Sequence, residues 1–239
     1  MRAQVLVLAK EPVAGRVKTR LCPPCTPTGA ARIAAAALAD TLAAVSGVDD
    51  VGRTLVLDGR HPVPTGWSVV PQHDGPLDAR LAAAFADTRR PGVPSLLIGM
   101  DTPQTTSALL TRVLGTLTCA ASRPAPDGAV GAGVDAALGL AADGGWWALG
   151  LREPKHGAAL LGVATSTATT GRDTLAALCA RGLRVVLLPE LRDVDTAADA
   201  HTVAGACPPG SRFARAVAEL MPRPAGAGTT RHTLVGVAP

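Results

Sequence analysis

Four basic side chains, Lys10, Arg16, Lys18 and Arg20, fall within eleven positions of one short stretch, "KEPVAGRVKTR". Two of the chain's three lysines are among them. Gly15 allows the backbone to approach an anion closely, and amides exposed there can form an anion nest. Lys18 and Arg20 can then reach phosphate oxygens, with Lys10, Arg16 and Thr19 beside them. The stretch matches neither G-x-x-x-x-G-K-[ST] nor G-x-G-x-x-G. On charge alone, a solvated basic loop is an equal reading.

A second set of residues is acidic. Asp101 ends the apolar run "PSLLIGMD" and precedes Thr-Pro. A carboxylate there can hold Mg²⁺ (or Mn²⁺) against phosphates. Asp193 and Asp195 flank Val194, so both face one site only if the strand end is turned. The competing role for Asp195 is an N-cap on the helix that follows. Asp143, Gly144 and Gly145 make "DGG", either a turn where a ligand nears the backbone or a plain hairpin turn. Trp146 and Trp147 follow, and one of them can floor a pocket while the other packs in the core. Arg80 can clamp a phosphate or stand as an exposed helix charge, and Gln72 can read a base edge.

No Ser/His/Asp or Cys/His set presents itself. "CPPC" at 22–25 has redox or metal spacing, but no second Cys pair or nearby His completes a zinc site. The five cysteines read as reduced thiols. A net charge of +4 and 2% aromatic residues argue against nucleic acid, which needs basic patches and stacking platforms. No apolar run approaches the roughly 20 residues of a membrane span, and the chain reads as cytoplasmic.

The residues that could do chemistry need elements to position them. At 239 residues and 47% hydrophobic, the chain can bury a large α/β core. Strand-like runs at 4–9, 53–59, 66–72, 94–101 and 183–191 alternate with helical patterns at 28–47, 77–90, 106–117, 170–182, 196–206 and 211–221. "DAALGLA" and "WWALGL" form a strand pair around "DGG". This alternation predicts an α/β protein, a mostly parallel sheet covered by helices. Thr28 and Gly47 punctuate the first helix. Ligands of such sheets bind beyond the carboxyl ends of the strands. The basic loop, Asp101 and the 193/195 pair all fall there. Residues 1–221 read as one domain, and 222–239 as a disordered tail.

The loop "K-x-P-x-x-G-x-V-K-T-R-L", with "QHDGPLDARL" at 72–81, "IGMDTP" at 98–103, "ADGGWWALGL" at 142–151 and "RDVDTAADA" at 192–200, resembles the DUF2064 family. That family belongs to the glycosyltransferase-A (GT-A) superfamily with the nucleotide-diphospho-sugar transferase fold. The resemblance spans about residues 3–204. The loop and first helix are also similar to 2-phospholactate guanylyltransferases. Asp195 resembles the aspartate of the "V-D-T-x-x-D" ending of sugar-activating cytidylyltransferases, where it joins a metal site. Three features depart from the pattern: an insertion at about 118–133, Asp78 in place of Gly, and "GVATST" where a Trp usually stands.

The resemblance implies a three-layer α/β/α, Rossmann-like GT-A fold. It implies a nucleotide ligand, either an NTP or an NDP-sugar, and a small-molecule acceptor. Lys18, Arg20 and Asp143 are the expected catalytic residues. Lys10, Gly15, Arg16, Lys18, Thr19, Arg20, Gln72 and Arg80 are expected on the nucleotide and its phosphates. Gly144, Gly145 and Trp146 are expected on the acceptor, and Asp101, Asp193 and Asp195 on the metal. The leading reading is nucleotidyl transfer from an NTP to a phosphorylated acceptor with release of pyrophosphate. The alternatives are glycosyl transfer from an NDP-sugar and a non-catalytic nucleotide-binding module. Superfamily members often pair, so a homodimer is an expected state.

Overall fold

The first strand, β1 (Ala3–Lys10), is apolar on both sides and therefore central. Val5 and Val7 face one core cluster and Leu6 the other. The computed structural model describes residues 1–119 and 133–221. The expected insertion at 118–133 and the tail at 222–239 lie almost wholly and wholly outside them.

Six further strands complete the sheet: β2 (Val51–Asp58), β3 (Ser68–Pro71), β4 (Ser95–Gly99), β5 (Ala136–Ala141), β6 (Trp146–Leu151) and β7 (Val185–Leu191). Their order is β3-β2-β1-β4-β6-β5-β7. All run parallel except β6, which is antiparallel to both neighbours, β4 and β5. The helices are α1 (Pro27–Ser46), α2 (Leu77–Asp87), α3 (Ser107–Thr118), α4 (Thr170–Ala180), α5 (Ala197–Ala206) and α6 (Arg212–Leu220). Helices α1 and α3 cover one face, and α2, α4 and a 3-10 helix at Pro154–Leu160 cover the other. The fold is the expected three-layer α/β/α, mostly parallel arrangement. The 3-10 helix has no counterpart in the sequence reading.

Two features of α1 differ from expectation. Its cap is Thr26, whose hydroxyl accepts from the Gly29 amide, rather than Thr28. Pro27 is the reason: lacking an N–H and fixed near helical φ, it belongs at the first helical position. Second, α1 is 20 residues long with a mean hydropathy of 1.3 over its best window, enough by length and composition to cross a membrane. Here that apolar surface packs on two sides. Ala34, Leu38 and Val45 meet the sheet, while Ile33 and Ala37 meet Phe213 and Val217 of α6.

Chain order reverses between β1 and β4, because β2 and β3 lie to one side of β1 and β4 to the other. The loops leaving these two strands part there and open a crevice. Because β6 is antiparallel, the β5–β6 turn falls on the same carboxyl edge, as does the end of β7. The turn is pinned from outside. Gly144 sits at φ 91°, and an added Cβ would lie 2.1 Å from the Ala168 carbonyl oxygen. The Gly171 amide donates to the Gly144 carbonyl at 2.8 Å. Gly144→Ala would combine a left-handed backbone with a backbone collision. A loss of roughly 2–4 kcal/mol of stability is expected, measurable by chemical denaturation.

Candidate functional site

The loop after β1 is shaped by what anchors it. Arg16 N–H closes a turn onto the Val13 carbonyl, with Gly15 at φ 77°. Leu21 is fully buried beside Ile33 and Phe213, at the end of a 3-10 turn spanning Thr19–Leu21. Lys18, just before that turn, adopts the left-handed conformation. The combination sends its side chain inward, leaving it 10% exposed. Its ammonium donates to the Val194 carbonyl, pairs with Asp101 Oδ1 at 2.7 Å and lies 3.7 Å from Asp195 Oδ1. Arg20 reaches Asp195 Oδ2 at 3.4 Å but is 76% exposed, so that pair contributes little. Lys10 and Arg16 are exposed on the same cleft and make no ion pair among the described residues. The expected phosphate cations thus divide. Lys18 holds the acidic wall, and Lys10 and Arg16 stand at the rim.

The acidic wall comes from the loops after β4 and β7. The Val194 amide donates to the Asp101 carbonyl at 3.0 Å, and the Val194 side chain is buried. Strand β7 ends at Leu191, and residues 192–195 follow no regular pattern. That irregular end is the turn the sequence required, and Asp193 and Asp195 both line the cleft. Asp195 is not a helix cap. Thr196 caps α5 in a reciprocal capping box with Asp199, which leaves the Asp195 carboxylate to the cleft.

Asp193 is the most perturbed group. Burial, then the fields of Asp143 and Asp101, push its carboxyl up to about 7, opposed by Lys18. Its Oδ1 is buried without a hydrogen-bond partner. Four carboxylates therefore share one field around a single buried ammonium. Oxygen-only donors and surplus negative charge fit a hard divalent cation. Among the described residues no three His, Cys, Asp or Glu side chains close on one point. The cation drawing Asp101 and Asp195 together is Lys18.

The remaining expected residues separate by role. Gln72 Nε2 donates to the Ala9 and Val56 carbonyls at 2.6 and 3.0 Å, and its Oε1 accepts from Arg80. It lines the cleft, and its polar atoms tie strands β1 and β2 to α2. Arg80 also reaches Asp58 Oδ2 at 3.3 Å, while its buried Nε has no partner. Trp146 and Trp147 both line the cleft, Trp147 from an otherwise buried position in which its indole N–H donates to the Pro189 carbonyl at 3.0 Å. Gly145 and Asp143 line the cleft, and Asp143 Oδ1 accepts from the Gly145 amide at 2.8 Å. Gly144 does not line it. The close approach that demands its glycine is Ala168, not a ligand. Asp78 also lies outside the lining and accepts from the Gly162 amide at 2.8 Å.

Thr165, Ser166, Thr167 and Thr170 complete the wall near Trp146 and were missed. The hydroxyl-rich run "TSTATT" at 165–170 was the available signal. Ser166 is left-handed at φ 59°, a strain that collects at functional sites. Cys22 and Cys25 are free thiols in an apolar cluster. Burial, then neighbouring Cys22, raise the Cys25 thiol, which is unsuited to nucleophilic or metal-binding work. The cleft is about 580 Å³, within the range of small-molecule sites.

The mostly parallel three-layer α/β/α arrangement is a GT-A and nucleotidyltransferase-like fold. The model of the DUF2064 family, described as "Uncharacterized protein conserved in bacteria", matches residues 30–167. That is more than half of the chain, and the protein belongs to this family. No curated protein matches it. Among solved structures, the chain is similar to a provisionally named nucleotide-diphospho-sugar transferase from Desulfovibrio desulfuricans. The TM-score is 0.76 at 22% identity, covering 92% of this chain and 96% of that one. It is also similar to CMP:2-keto-3-deoxy-manno-octonic acid synthetase complexed with CTP. There the TM-score is 0.52 at 10% identity, covering 85% of this chain and 97% of that one.

The raised Asp193 carboxyl predicts a pH dependence. Folded, the group binds a proton up to about pH 7; unfolded, it releases it near pH 4. Between these limits the folded state holds more protons, so stability falls as pH rises. In metal-free buffer, Asp193→Asn should melt several degrees above the parent at about pH 8. The gap should narrow towards about pH 4. Parallel melting curves for the two proteins across that range would contradict the assignment.

Proposed function

We propose that the protein is a divalent-cation-dependent nucleotidyltransferase. It would move a nucleoside monophosphate from an NTP to a small acceptor and release pyrophosphate. One observation carries this reading: a basic loop and a four-carboxylate wall meet across one cleft at the strand-order reversal. A triphosphate needs both walls, cations for its oxygens and a carboxylate-held metal for the charge those cations leave. The solved structure with CTP on a similar fold supports the same ligand class.

The residues divide the work. Lys10 and Arg16 at the rim and Arg20 at the mouth would draw in and orient the triphosphate. The Lys18 ammonium has three donors. Val194 and Asp101 occupy two, and the third points towards Asp195 at a distance too long for a hydrogen bond. That third donor would serve a phosphate oxygen. Asp101, Asp193 and Asp195 would hold the cation, which when bound neutralises charge on the phosphates. Asp143, which lines the cleft with Gly145 and Trp146, would accept a proton from the attacking group. Positioning and charge neutralisation suffice for such chemistry without a covalent intermediate.

Glycosyl transfer from an NDP-sugar is the second reading. It is favoured by the placement of Asp143 beside Trp146, a carboxylate next to an aromatic platform. The two readings differ in product. With Mg²⁺ or Mn²⁺, a panel of NTPs and NDP-sugars and an acceptor panel, pyrophosphate release is expected. Release of NDP with sugar transfer would select the second reading. Absence of any nucleotide-dependent thermal shift would refute both.

Two substitutions probe the walls. Lys18→Ala removes a charge-assisted contact worth about 1.5–3 kcal/mol and should weaken nucleotide Kd by about tenfold or more, with circular dichroism unchanged. Asp101→Asn should abolish metal-dependent turnover while leaving metal-free nucleotide binding within about threefold. Full turnover in Asp101→Asn would remove that residue from the metal site.

A further inference from the structure

The cleft has two chemically different ends. Among the described residues, every cation lining it comes from the end of β1, the loop after it, or α2. Arg80, the α2 cation, is held at the end of β2 by Asp58. Strand β2 lies three strand spacings from β6, about 14 Å. The opposite end, built by the β5–β6 turn and residues 165–170, carries Asp143, the Trp146 indole and the Thr165 and Ser166 hydroxyls. Those two hydroxyls and Asp143 Oδ2 have no protein partner among the described residues.

Among the described residues, this end offers only part of the usual substitute for a cation. The N-terminus of α4 borders it, and such a terminus can bind an anion. Here the amides of its first two residues are already engaged. Thr170 N–H donates to the Thr167 carbonyl and Gly171 N–H to the Gly144 carbonyl. Asp173 supplies the carboxylate of the first turn and accepts from the Thr169 hydroxyl at 2.6 Å. A phosphate brought here would meet the Asp143 carboxylate and, among the described residues, no cationic side chain of its own end, since Lys18, the ammonium in the same field, is already paired with Asp101.

We infer that the acceptor is an uncharged polyhydroxylated molecule, a sugar or polyol, and not the phosphorylated acceptor expected from the sequence. Its C–H face stacks on Trp146, its hydroxyls bind Thr165 and Ser166, and the reacting hydroxyl faces Asp143. The inference rests on the reading that the other end holds a nucleotide. In the transfer, the acceptor oxygen bonds to the α-phosphorus as the bond from that phosphorus to the pyrophosphate oxygen breaks. Pyrophosphate leaves with the electron pair, and the hydroxyl proton passes to Asp143 and on to water. With an NDP-sugar donor the same oxygen would bond to the anomeric carbon and NDP would leave.

The test uses the full chain and matched acceptors: glucose with glucose 1-phosphate, and ribitol with ribitol 5-phosphate. Saturation-transfer NMR in the presence of Mg²⁺ and a non-hydrolysable NTP reads acceptor binding without turnover. The unphosphorylated member of at least one pair should bind at least tenfold more tightly than its phosphate. Trp146→Ala should weaken that binding at least tenfold, and Trp146→Phe should restore most of it. Asp143→Asn should lower kcat with acceptor KM unchanged. Nucleotide Kd should stay constant in both Trp146 variants. Preference for the phosphorylated members, or sugar binding indifferent to Trp146→Ala, overturns the inference. Binding of neither member of either pair, with nucleotide bound, also overturns it. Failure of nucleotide to bind at all would instead remove the reading on which it rests.

Discussion

Lys18 draws three separate loops of the chain to one point. Its ammonium joins the loop after β1 to Asp101 beyond β4 and to the Val194 carbonyl and Asp195 beyond β7. At the observed distance to Asp101, and with an effective dielectric near 20, the attraction is about 6 kcal/mol. Burying the ammonium offsets much of that. The gain is therefore geometric more than energetic. Buried Leu21 on one side and buried Val194 on the other leave the lysine one direction to point. That direction brings the two walls of the cleft into register.

The same arrangement leaves charge uncompensated. One buried ammonium faces Asp101, Asp143, Asp193 and Asp195, and Asp193 responds by holding its proton to about pH 7. A buried oxygen without a partner costs free energy in any fold. Such a group fits a site that is completed by a ligand. The nearby rim, with Lys10 and Arg16 outside any ion pair among the described residues, has the opposite imbalance. A metal-bound polyphosphate would balance both walls, which is the physical content of the proposed activity.

The hairpin between β5 and β6 shows how far a motif can be read without coordinates. "DGG" marked a tight turn near a ligand, and Asp143 and Gly145 do line the cleft. Gly144 is glycine because Ala168 leaves no room for a side chain. Asp195 was open between cap and cleft until Thr196 took the cap. Gln72 was legible as a polar residue near the site. Its commitment to strand carbonyls depends on β1 and β2 being neighbours, which no local pattern states.

Periodicity and turn chemistry determined most elements to within a few residues, because the hydrophobic face of each strand and helix is written locally. The basic loop, Asp101 and the 193/195 pair were likewise legible, since each follows a strand directly. Only the tertiary structure decided the strand order, the reversed direction of β6 and the resulting convergence of four loops on one edge. Only it placed Lys18 among carboxylates and the hydroxyl run at 165–170 beside Trp146. These depend on which distant segments meet, and pairing across the sheet is set by the packing of the whole core, not by any stretch of sequence.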